Sequence, residues 1–560
     1  MPRTRHLWPL VPLLICLWAA WGTVPQVTAA RPSESRLDPR PLLLSGARAH
    51  LPVVAYWPDD PDPVVLCRYG VAVWPAYLSQ FDIVDNLNVG WYLDFGAHLA
   101  PPGPPAVEFA FMVRLAQDRG GSDVCGPDYG YTVTPPLTDD GLGRMVDLNR
   151  GALWVVGNEP DRIGQDGVCP QQYAEAYHDV YHFVKSRDPT ARVAIAGLVE
   201  VTPGRLQYLD IAWDTYATRY GETMPVDVWT MHIYILSETG EGDAHIALGT
   251  DPDLAIPFSF DCADPASYCH AEHDDVALFV AQVVQMRTWM AQRGEQEKPL
   301  IITEYGILKP YHYPTPENPE GMCAVTDCSG DFSEWQYCFC DENGETFHPQ
   351  RVVGFMHQTF DYLMSSTDVA LGCPQDGYRL VQQWLWYSLA TIAPWDLGHA
   401  SNLMDPGGGY AVTAQGQGWQ DYVQILGPMV NLFPVGELRS ATYLPPGAGV
   451  VDVPLAVGVA NNGETTLGRN VTVTFYRDAG LSLPLGSTVI GDLPGCIQRQ
   501  AVARVTWPGL GVGQHAFWFK IDSSDGVMES DETDNVGTGV VTVYPYGQRL
   551  PLVWSAFARP

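Results

Sequence analysis

LWVVGNEPD, residues 153–161, and KPLIITEYG, residues 298–306, are apolar segments that each end in a glutamate. A short apolar run with a polar end is typical of a strand buried on both faces of a parallel sheet. Stretches 173–184 and 276–290 show the apolar spacing of helices. Further strand segments lie at 66–74, 87–95, 107–115, 193–201, 226–234 and 381–389.

Strands that alternate with helices over about 350 residues predict a parallel (β/α)₈ barrel. An open, doubly wound sheet is the structural alternative. No glycine-rich phosphate loop follows an early strand, so a nucleotide-binding version of that sheet is disfavoured.

The two ends of the chain differ in character from the barrel region, which we place at residues 50–425. Residues 1–30 read as a signal peptide, with a basic start, an apolar run and small residues at 28–30. A membrane anchor is the alternative, but the run is short and contains prolines. After a junction between 426 and 450, short alternating strands predict a β-sandwich at 430–545, and an apolar tail of unknown use fills 546–560.

Composition excludes some partners. The chain has 560 residues, 46% of them hydrophobic, and a formal net charge of −33. This charge disfavours nucleic acids and anionic membranes, because phosphate binding needs a basic surface. A neutral polysaccharide or oligosaccharide is compatible with it. No segment beyond the signal peptide is long and apolar enough to span a membrane, so we expect a secreted or cell-surface protein.

Cysteines support an exported chain. Of the 12 cysteines, all but Cys16 lie beyond the signal peptide, which leaves an odd number. In an exported protein we expect disulfides, with at least one cysteine unpaired. Four cysteines crowd one segment, and zinc is the alternative there, although their spacing fits C-x₂-C pairs poorly; they are Cys323, Cys328, Cys338 and Cys340. Insertions at 236–275 and 309–350 either shape a cleft or are decorative loops.

The two terminal glutamates suggest chemistry. Retaining hydrolysis of a glycosidic bond needs two carboxyl groups about 5–5.5 Å apart, and a barrel supplies them from the ends of facing strands. By chain order Glu159 ends strand four and Glu304 ends strand seven. Between them, VDVWTMHIYI (226–235) places His232 and Tyr234 on one face of a strand. Trp384 and Trp386 also share a face and offer either a platform for a sugar ring or core packing.

In order and at strand ends, these motifs over residues 60–425 resemble glycoside hydrolase clan A. That clan carries an Asn-Glu acid/base on strand four, His-x-Tyr on strand six and a Glu nucleophile on strand seven. Within the clan the sequence is most similar to the family named for a fungal alkali-sensitive-linkage protein, which acts on β-1,3-glucan. GWYLDFG (90–96) resembles that family's Trp-x-Tyr-Asn-Trp-Gly, with Asp94 and Phe95 replacing Asn and Trp. His-Ile-Tyr likewise replaces His-Trp-Tyr, and Thr-Glu-Tyr replaces Thr-Glu-Phe.

The resemblance and the chemistry assign roles. Glu159 is expected to be the general acid/base with a raised pKa, and Glu304 the ionised nucleophile. Tyr234 would orient Glu304, and Asn158 would bind the sugar 2-hydroxyl. Three further residues have two interpretations each: His232 and Trp91 as substrate contacts or packing residues, and Asp94 as a sugar ligand or a helix N-cap.

VANNGETT (459–466) and IDSSDGVMESDETDN (521–535) resemble the bacterial cell-adhesion-related (CARDB) β-sandwich. This resemblance implies an immunoglobulin-like accessory domain for attachment to a cell surface or glycan, without chemistry of its own. Its acidic segment is either a solvated loop or a calcium site. We expect sandwich strands at 451–459, 470–476, 501–507, 514–521 and 539–544.

Together these observations predict a secreted retaining glycoside hydrolase acting on a β-linked glycan, with β-1,3-glucan implied by the family resemblance. No cofactor is needed for this chemistry. An exo-acting β-glycosidase such as a β-xylosidase is one alternative. The other is a non-catalytic glycan-binding or adhesion protein, which would need neither glutamate.

Overall fold

The structure is a computed structural model. The signal peptide, the four-cysteine cluster and most of the apolar tail lie outside the residues that it describes. Those residues are 66–74, 87–104, 107–117, 125–126, 129–239, 244–309, 341–343, 345–391, 398–427, 429–436, 438–491 and 493–547.

Eight parallel strands form the first part of the described chain, and each falls within or close to a segment predicted from the sequence. The strands are β1 Leu66–Ala72, β2 Val89–Leu93, β3 Glu108–Gln117, β4 Leu153–Val156, β5 Arg192–Ile195, β6 Trp229–Ile233, β7 Leu300–Tyr305 and β8 Gln383–Trp386. Parallel ladders join β1 to β5 in chain order, join β6 to β8 in chain order, and pair β8 with β1.

The sheet closes between β5 and β6, which distinguishes a barrel from the open alternative. Ala194 and Val228 form a parallel bridge. Asp227 N donates to Val193 O at 3.1 Å, and Thr230 Oγ1 donates to Ile195 O at 2.8 Å. The predicted fold class, a (β/α)₈ barrel followed by β-sheets, is therefore confirmed.

Helices connect the strands along the outside of the barrel. A short antiparallel strand, Tyr131–Thr134, and a π-helical turn, Asp139–Gly143, precede the first of them. The α-helices are α1 Arg144–Leu148, α2 Pro170–Arg187, α3 Pro203–Tyr220, α4 Val276–Gln292, α5 Pro349–Ser365 and α6 Ala414–Val423. Among the described helices, none combines the length and the apolarity that crossing a membrane requires.

The barrel strands are buried on both faces. In β4, Leu153 and Val155 belong to the cluster inside the barrel, while Trp154 and Val156 pack with the helices. This double burial explains why the strands read as continuous apolar runs in the sequence.

The second part of the described chain consists of two β-sheets around a separate apolar core. Three strands were not predicted from the sequence, because they are short or partly polar and lack a clear alternation of apolar and polar residues. They are Leu432–Val435, Arg439–Tyr443 and Pro484–Ile490. The strands that match predicted segments are Val451–Asn461, Val471–Tyr476, Gln500–Leu510, Gly513–Lys520 and Val536–Tyr544.

A covalent and ionic seam joins β1 to the β-sheets. Cys67 forms a disulfide with Cys496. The neighbouring Arg68 is fully buried, donates to Asn462 O at 2.8 Å and lies with its Nε 3.8 Å from Oε1 of the buried Glu464, which follows the strand Val451–Asn461. Removing one partner of such a buried pair typically costs about 3–5 kcal/mol. The seam therefore fastens the sheets firmly to the barrel.

The prediction of disulfides is confirmed within the described chain. Besides the seam, Cys125 bonds to Cys169 and Cys262 bonds to Cys269. Among the described cysteines, Cys373 is free and buried. Such bonds form and persist in oxidising compartments.

Candidate active site

Glu159 is held on a tight turn after β4. Gly157 and Glu159 both have left-handed backbones, with φ of 97° and 42°. For a side chain other than glycine this conformation costs of order 1–3 kcal/mol and needs support. Asp166 gives that support, because its Oδ2 accepts the N–H groups of Asn158 at 2.8 Å and Leu115 at 2.9 Å.

Glu304 lies near the end of β7 with its side chain buried. The hydroxyl of Tyr234 donates to its Oε2 at 3.0 Å. Its Oε1 is buried without a hydrogen-bond partner and lies 3.6 Å from Nε2 of His232. Tyr234 therefore orients one oxygen of Glu304, and the other faces His232.

His232 lies between the two carboxylates. Its Nδ1 is 3.1 Å from Glu159 Oε1. One carboxylate oxygen of Glu159, one of Glu304 and one ring nitrogen of His232 all lie within 4.8 Å of one another. Gly197 makes this placement possible, since a Cβ there would lie 2.3 Å from His232 Cδ2.

The three groups shift one another's pKa. Burial raises the pKa of Glu159, but the hydrogen bond and charge of His232, together with Arg162, outweigh burial and bring that pKa below its usual value. Burial, helped by the charge of Glu159, raises the pKa of Glu304 to about 7 against the lowering effects of His232 and Tyr234. Burial lowers the pKa of His232, but the charges of Glu304 and Glu159 outweigh it and raise that pKa.

These directions reverse the expectation from the sequence, which gave Glu159 the raised pKa and left Glu304 ionised. The reason is geometric. His232 lies closer to Glu159 than to Glu304, and Arg162 adds a second cation 3.4 Å from Glu159 Oε2. Residue types at strand ends do not reveal which carboxylate the imidazole approaches.

Two other predicted site residues stand beside strand ends. Asn158 is buried, donates from Nδ2 to Gln165 at 3.3 Å and leaves Oδ1 without a partner. Asp94 is also buried, and its Oδ2 lies 2.5 Å from His98 Nε2. Asp94 does not cap a helix among the described elements, so the N-cap interpretation is wrong.

The predicted tryptophans lie in the core. Trp91 is fully buried in the barrel interior, where Gly70 leaves room for its ring. Trp384 packs with its ring centre 4.8 Å from that of Tyr69, and Trp386 donates to Ser401 O at 2.8 Å. The sugar-platform interpretation of Trp384 and Trp386 is therefore wrong.

The sequence-based prediction assigned Trp384 and Trp386 to the wrong face of β8. Residues 384 and 386 do share a face, as expected, but it is the face that meets the helices. Leu385 points into the barrel, and the next residue on that face, Tyr387, follows the strand.

Tyr387, Phe95 and Trp74 form a row of aromatic side chains that was not predicted from the sequence. The ring centre of Tyr387 is 6.4 Å from that of Tyr234 and 6.3 Å from that of Phe95, which lies 5.4 Å from Trp74. Phe95 and Trp74 are only partly buried. The row leads from Glu304 across the ends of β8, β2 and β1, and its aromatic faces are suited to sugar rings.

Glu159, His232 and Glu304 also have the donor types of a metal site. Both ring nitrogens of His232 are directed at carboxylates, and Arg162 partly neutralises Glu159. A divalent cation would have to displace the imidazole from between the carboxylates and would be repelled by Arg162. The contacts thus fit a hydrogen-bonded carboxylate pair better than a metal centre.

No family model and no curated protein match the sequence. Solved structures that are similar include a GH128 (subgroup I) endo-β-1,3-glucanase from Amycolatopsis mediterranei in complex with laminarihexaose. It is 14% identical over 63% of this chain and 99% of that one, with a TM-score of 0.35. A GH128 (subgroup III) curdlan-specific exo-β-1,3-glucanase from Blastomyces gilchristii is 14% identical, with 63% and 97% covered and a TM-score of 0.34.

A smaller solved structure is similar to a shorter share of the chain. The CARDB domain of a Pyrococcus furiosus protein, solved in complex with di-metal ions, is 18% identical over 21% of this chain and 93% of that one, with a TM-score of 0.16. Similarities at this level do not assign an activity to this chain.

Proposed function

We propose that this chain is an exported retaining glycoside hydrolase that acts on a β-linked glycan. The observation that carries the proposal is the approach of Glu159 and Glu304, whose nearest oxygens lie within 4.8 Å at the ends of β4 and β7. This separation suits the about 5–5.5 Å between carboxyl groups of retaining enzymes better than the about 6.5–9.5 Å of inverting ones. The described disulfides support export.

In this mechanism Glu304 attacks the anomeric carbon while Glu159 protonates the leaving oxygen. A covalent glycosyl-enzyme forms, and Glu159 then deprotonates the water that releases the sugar. Tyr234 orients the Glu304 carboxylate through its hydrogen bond to Oε2. The unpartnered Oδ1 of Asn158 is available to accept a hydrogen bond from a sugar hydroxyl.

The pKa directions are compatible with these roles because the three central groups share protons. Two protonation states of the site hold the same number of protons. In one, His232 is protonated and both glutamates are ionised; in the other, His232 is neutral, Glu159 is protonated and Glu304 is ionised. Transfer of one proton from His232 Nδ1 to Glu159 Oε1, 3.1 Å apart, interconverts the two forms. We infer that His232 stores the proton that Glu159 delivers.

The first substrate to test is β-1,3-glucan, because the motifs at the ends of strands two, four, six and seven resemble the family that acts on it. The aromatic row from Tyr387 to Trp74 would stack against sugar rings next to Glu304. Product analysis on a panel of β-glycans, with β-xylans included, separates endo from exo action and β-1,3-glucanase from β-xylosidase activity.

The decisive experiment compares two carboxylate variants. Glu304→Ala should abolish turnover, and azide or formate should restore it with an inverted product, since the anion attacks from the face that the carboxylate occupied. Glu159→Ala should slow substrates with poor leaving groups far more than activated aryl glycosides, which need no proton. Asp214→Ala, an exposed carboxylate on α3, is the matched control and should retain full activity.

Two results would contradict the proposal. If the wild-type protein binds a β-glycan but hydrolyses nothing on the panel, it is a glycan-binding protein. If it hydrolyses a glycan but Glu304→Ala keeps its activity, the assignment of the nucleophile is wrong.

A further inference from the structure

A second cluster of metal-ligating side chains lies on the helix layer. His178 and His182 are one turn apart on α2, and Glu222 follows the end of α3. One possible ligand atom from each of the three lies within 4.8 Å of the others. Both helices run from the top of the barrel to its bottom, so the cluster lies away from the strand ends that carry the candidate active site.

We propose that His178, His182 and Glu222 bind a divalent transition-metal ion of the Zn²⁺ type and that this ion clamps α2 to the end of α3. Two histidines at i and i+4 on one helix face form a bidentate set, and a carboxylate completes three ligands, with water as the fourth. Tetrahedral zinc, bound at about 2.0–2.2 Å, brings ligand atoms to about 3.4 Å from one another. The His182 and Glu222 side chains are 48% and 56% exposed and can rotate to that distance.

The surroundings of His178 orient it for such a role. Its ring stacks on Tyr220, with centres 3.6 Å apart and planes within 2°. Its Nδ1 lies 3.3 Å from Asp179 Oδ1, and Asp179 Oδ2 accepts a hydrogen bond from Tyr131 at 2.7 Å. A metal-bound histidine commonly uses its other ring nitrogen in this way, so Nε2 of His178 is the nitrogen left to ligate.

Charge around the cluster also favours a cation. Glu222 contributes a negative charge, and Asp179 adds another beside it. The neighbouring cation Arg219 pairs with Glu175 at 2.5 Å, which reduces its repulsion of a metal ion.

The test is a zinc titration of the full protein, prepared without a polyhistidine tag. Calorimetry should show that His178→Ala and His182→Ala each lose one equivalent of Zn²⁺ relative to wild type. Asp179→Asn, which removes the carboxylate behind His178, should weaken this site about 10–100-fold. His245→Ala, an exposed histidine elsewhere, is the matched control and should bind as wild type does.

Thermal unfolding gives a second measurement that does not depend on catalysis. Zn²⁺ should raise the Tm of wild type and of His245→Ala more than that of the His178→Ala/His182→Ala protein, because a ligand of the native state stabilises it. Each protein is compared with itself in chelator, so any loss of Tm caused by removing the stacking of His178 on Tyr220 cancels from the Zn²⁺-dependent shift. If the double variant keeps every equivalent and the full Tm shift, the metal binds elsewhere and the proposal is wrong. Hydrolytic activity is unaffected in either case, so this outcome is separate from that of the proposed function.

Discussion

Replacing Tyr234 by phenylalanine tests how the candidate site sets the charge of Glu304. The hydroxyl of Tyr234 donates to Glu304 Oε2 at 3.0 Å and lowers the pKa of this carboxyl, which burial raises to about 7. A hydrogen bond to a charged group contributes about 1.5–3 kcal/mol, and about 1.4 kcal/mol corresponds to one pKa unit. Tyr234→Phe should therefore raise the pKa of Glu304 by about 1–2 units, to about 8–9.

The sign of the effect on activity follows directly. Only ionised Glu304 can attack, so kcat/KM of the wild type should fall as the pH drops below about 7. In Tyr234→Phe this acidic limb should move up by about 1–2 pH units. At pH 6 the variant should then be about 10–100 times slower than wild type, whereas above pH 9 the two should converge on the smaller effect of lost orientation.

The assay is kcat/KM against pH on an activated aryl β-glycoside, which needs no proton from Glu159 and so isolates the nucleophile. Tyr177→Phe is the matched control, because it removes a buried tyrosine hydroxyl that donates to Pro225 O at 2.9 Å, outside the site. A variant that loses the same factor at every pH, with its acidic limb unmoved, would refute the proposed link between Tyr234 and the charge of Glu304.

Three further predictions concern stability and connectivity. The pKa of Glu304 is about 7 in the folded protein and about 4.3 in the unfolded chain, so ionisation of this carboxyl destabilises the fold increasingly as the pH rises between these two values. Glu304→Gln should therefore raise Tm more at pH 8 than at pH 5, and an equal gain at both pH values would contradict this. Limited proteolysis at 426–450 should yield two fragments that separate only after reduction, because the Cys67–Cys496 disulfide spans the cut; separation without a reductant would exclude that bond. Trp384→Ala should lower the free energy of unfolding, measured with denaturant, by about 3–5 kcal/mol without a change in KM. A free energy of unfolding close to that of wild type, together with a raised KM, would instead indicate that Trp384 contacts the sugar.

Barrel strands could be predicted from the sequence because both of their faces are buried. Segments such as 153–156 and 300–302 are apolar throughout, and the polar residues that follow mark the end of the barrel where the strands approach the site. The order of the glutamates along the chain then indicated that they would meet at one end of the barrel. These inferences needed only periodicity and chain order.

Side-chain direction could not be predicted in the same way. For β8 the sequence shows that Trp384 and Trp386 share a face, but it does not show which face meets the cleft. Contacts between distant segments were also hidden. Asp166 supports the turn of Glu159 from the following loop, and Arg68 reaches Asp376 across 308 residues of chain. No local pattern marks either residue.

The position of β6 explains why the two carboxylates should be treated as one titrating unit. His232 lies on this strand and Tyr234 directly follows it, two residues and about 6.6–7 Å further along, with both side chains directed to one face. His232 is in register with Glu304 on β7, so Tyr234 reaches one oxygen of that carboxylate and His232 approaches the other. Only His232 also reaches Glu159. Loss of Tyr234 should therefore act directly on Glu304 and reach Glu159 only through the charge of Glu304, whereas loss of His232 removes a direct contact with both carboxylates. A comparison of the two pH profiles separates orientation of the nucleophile from storage of the proton.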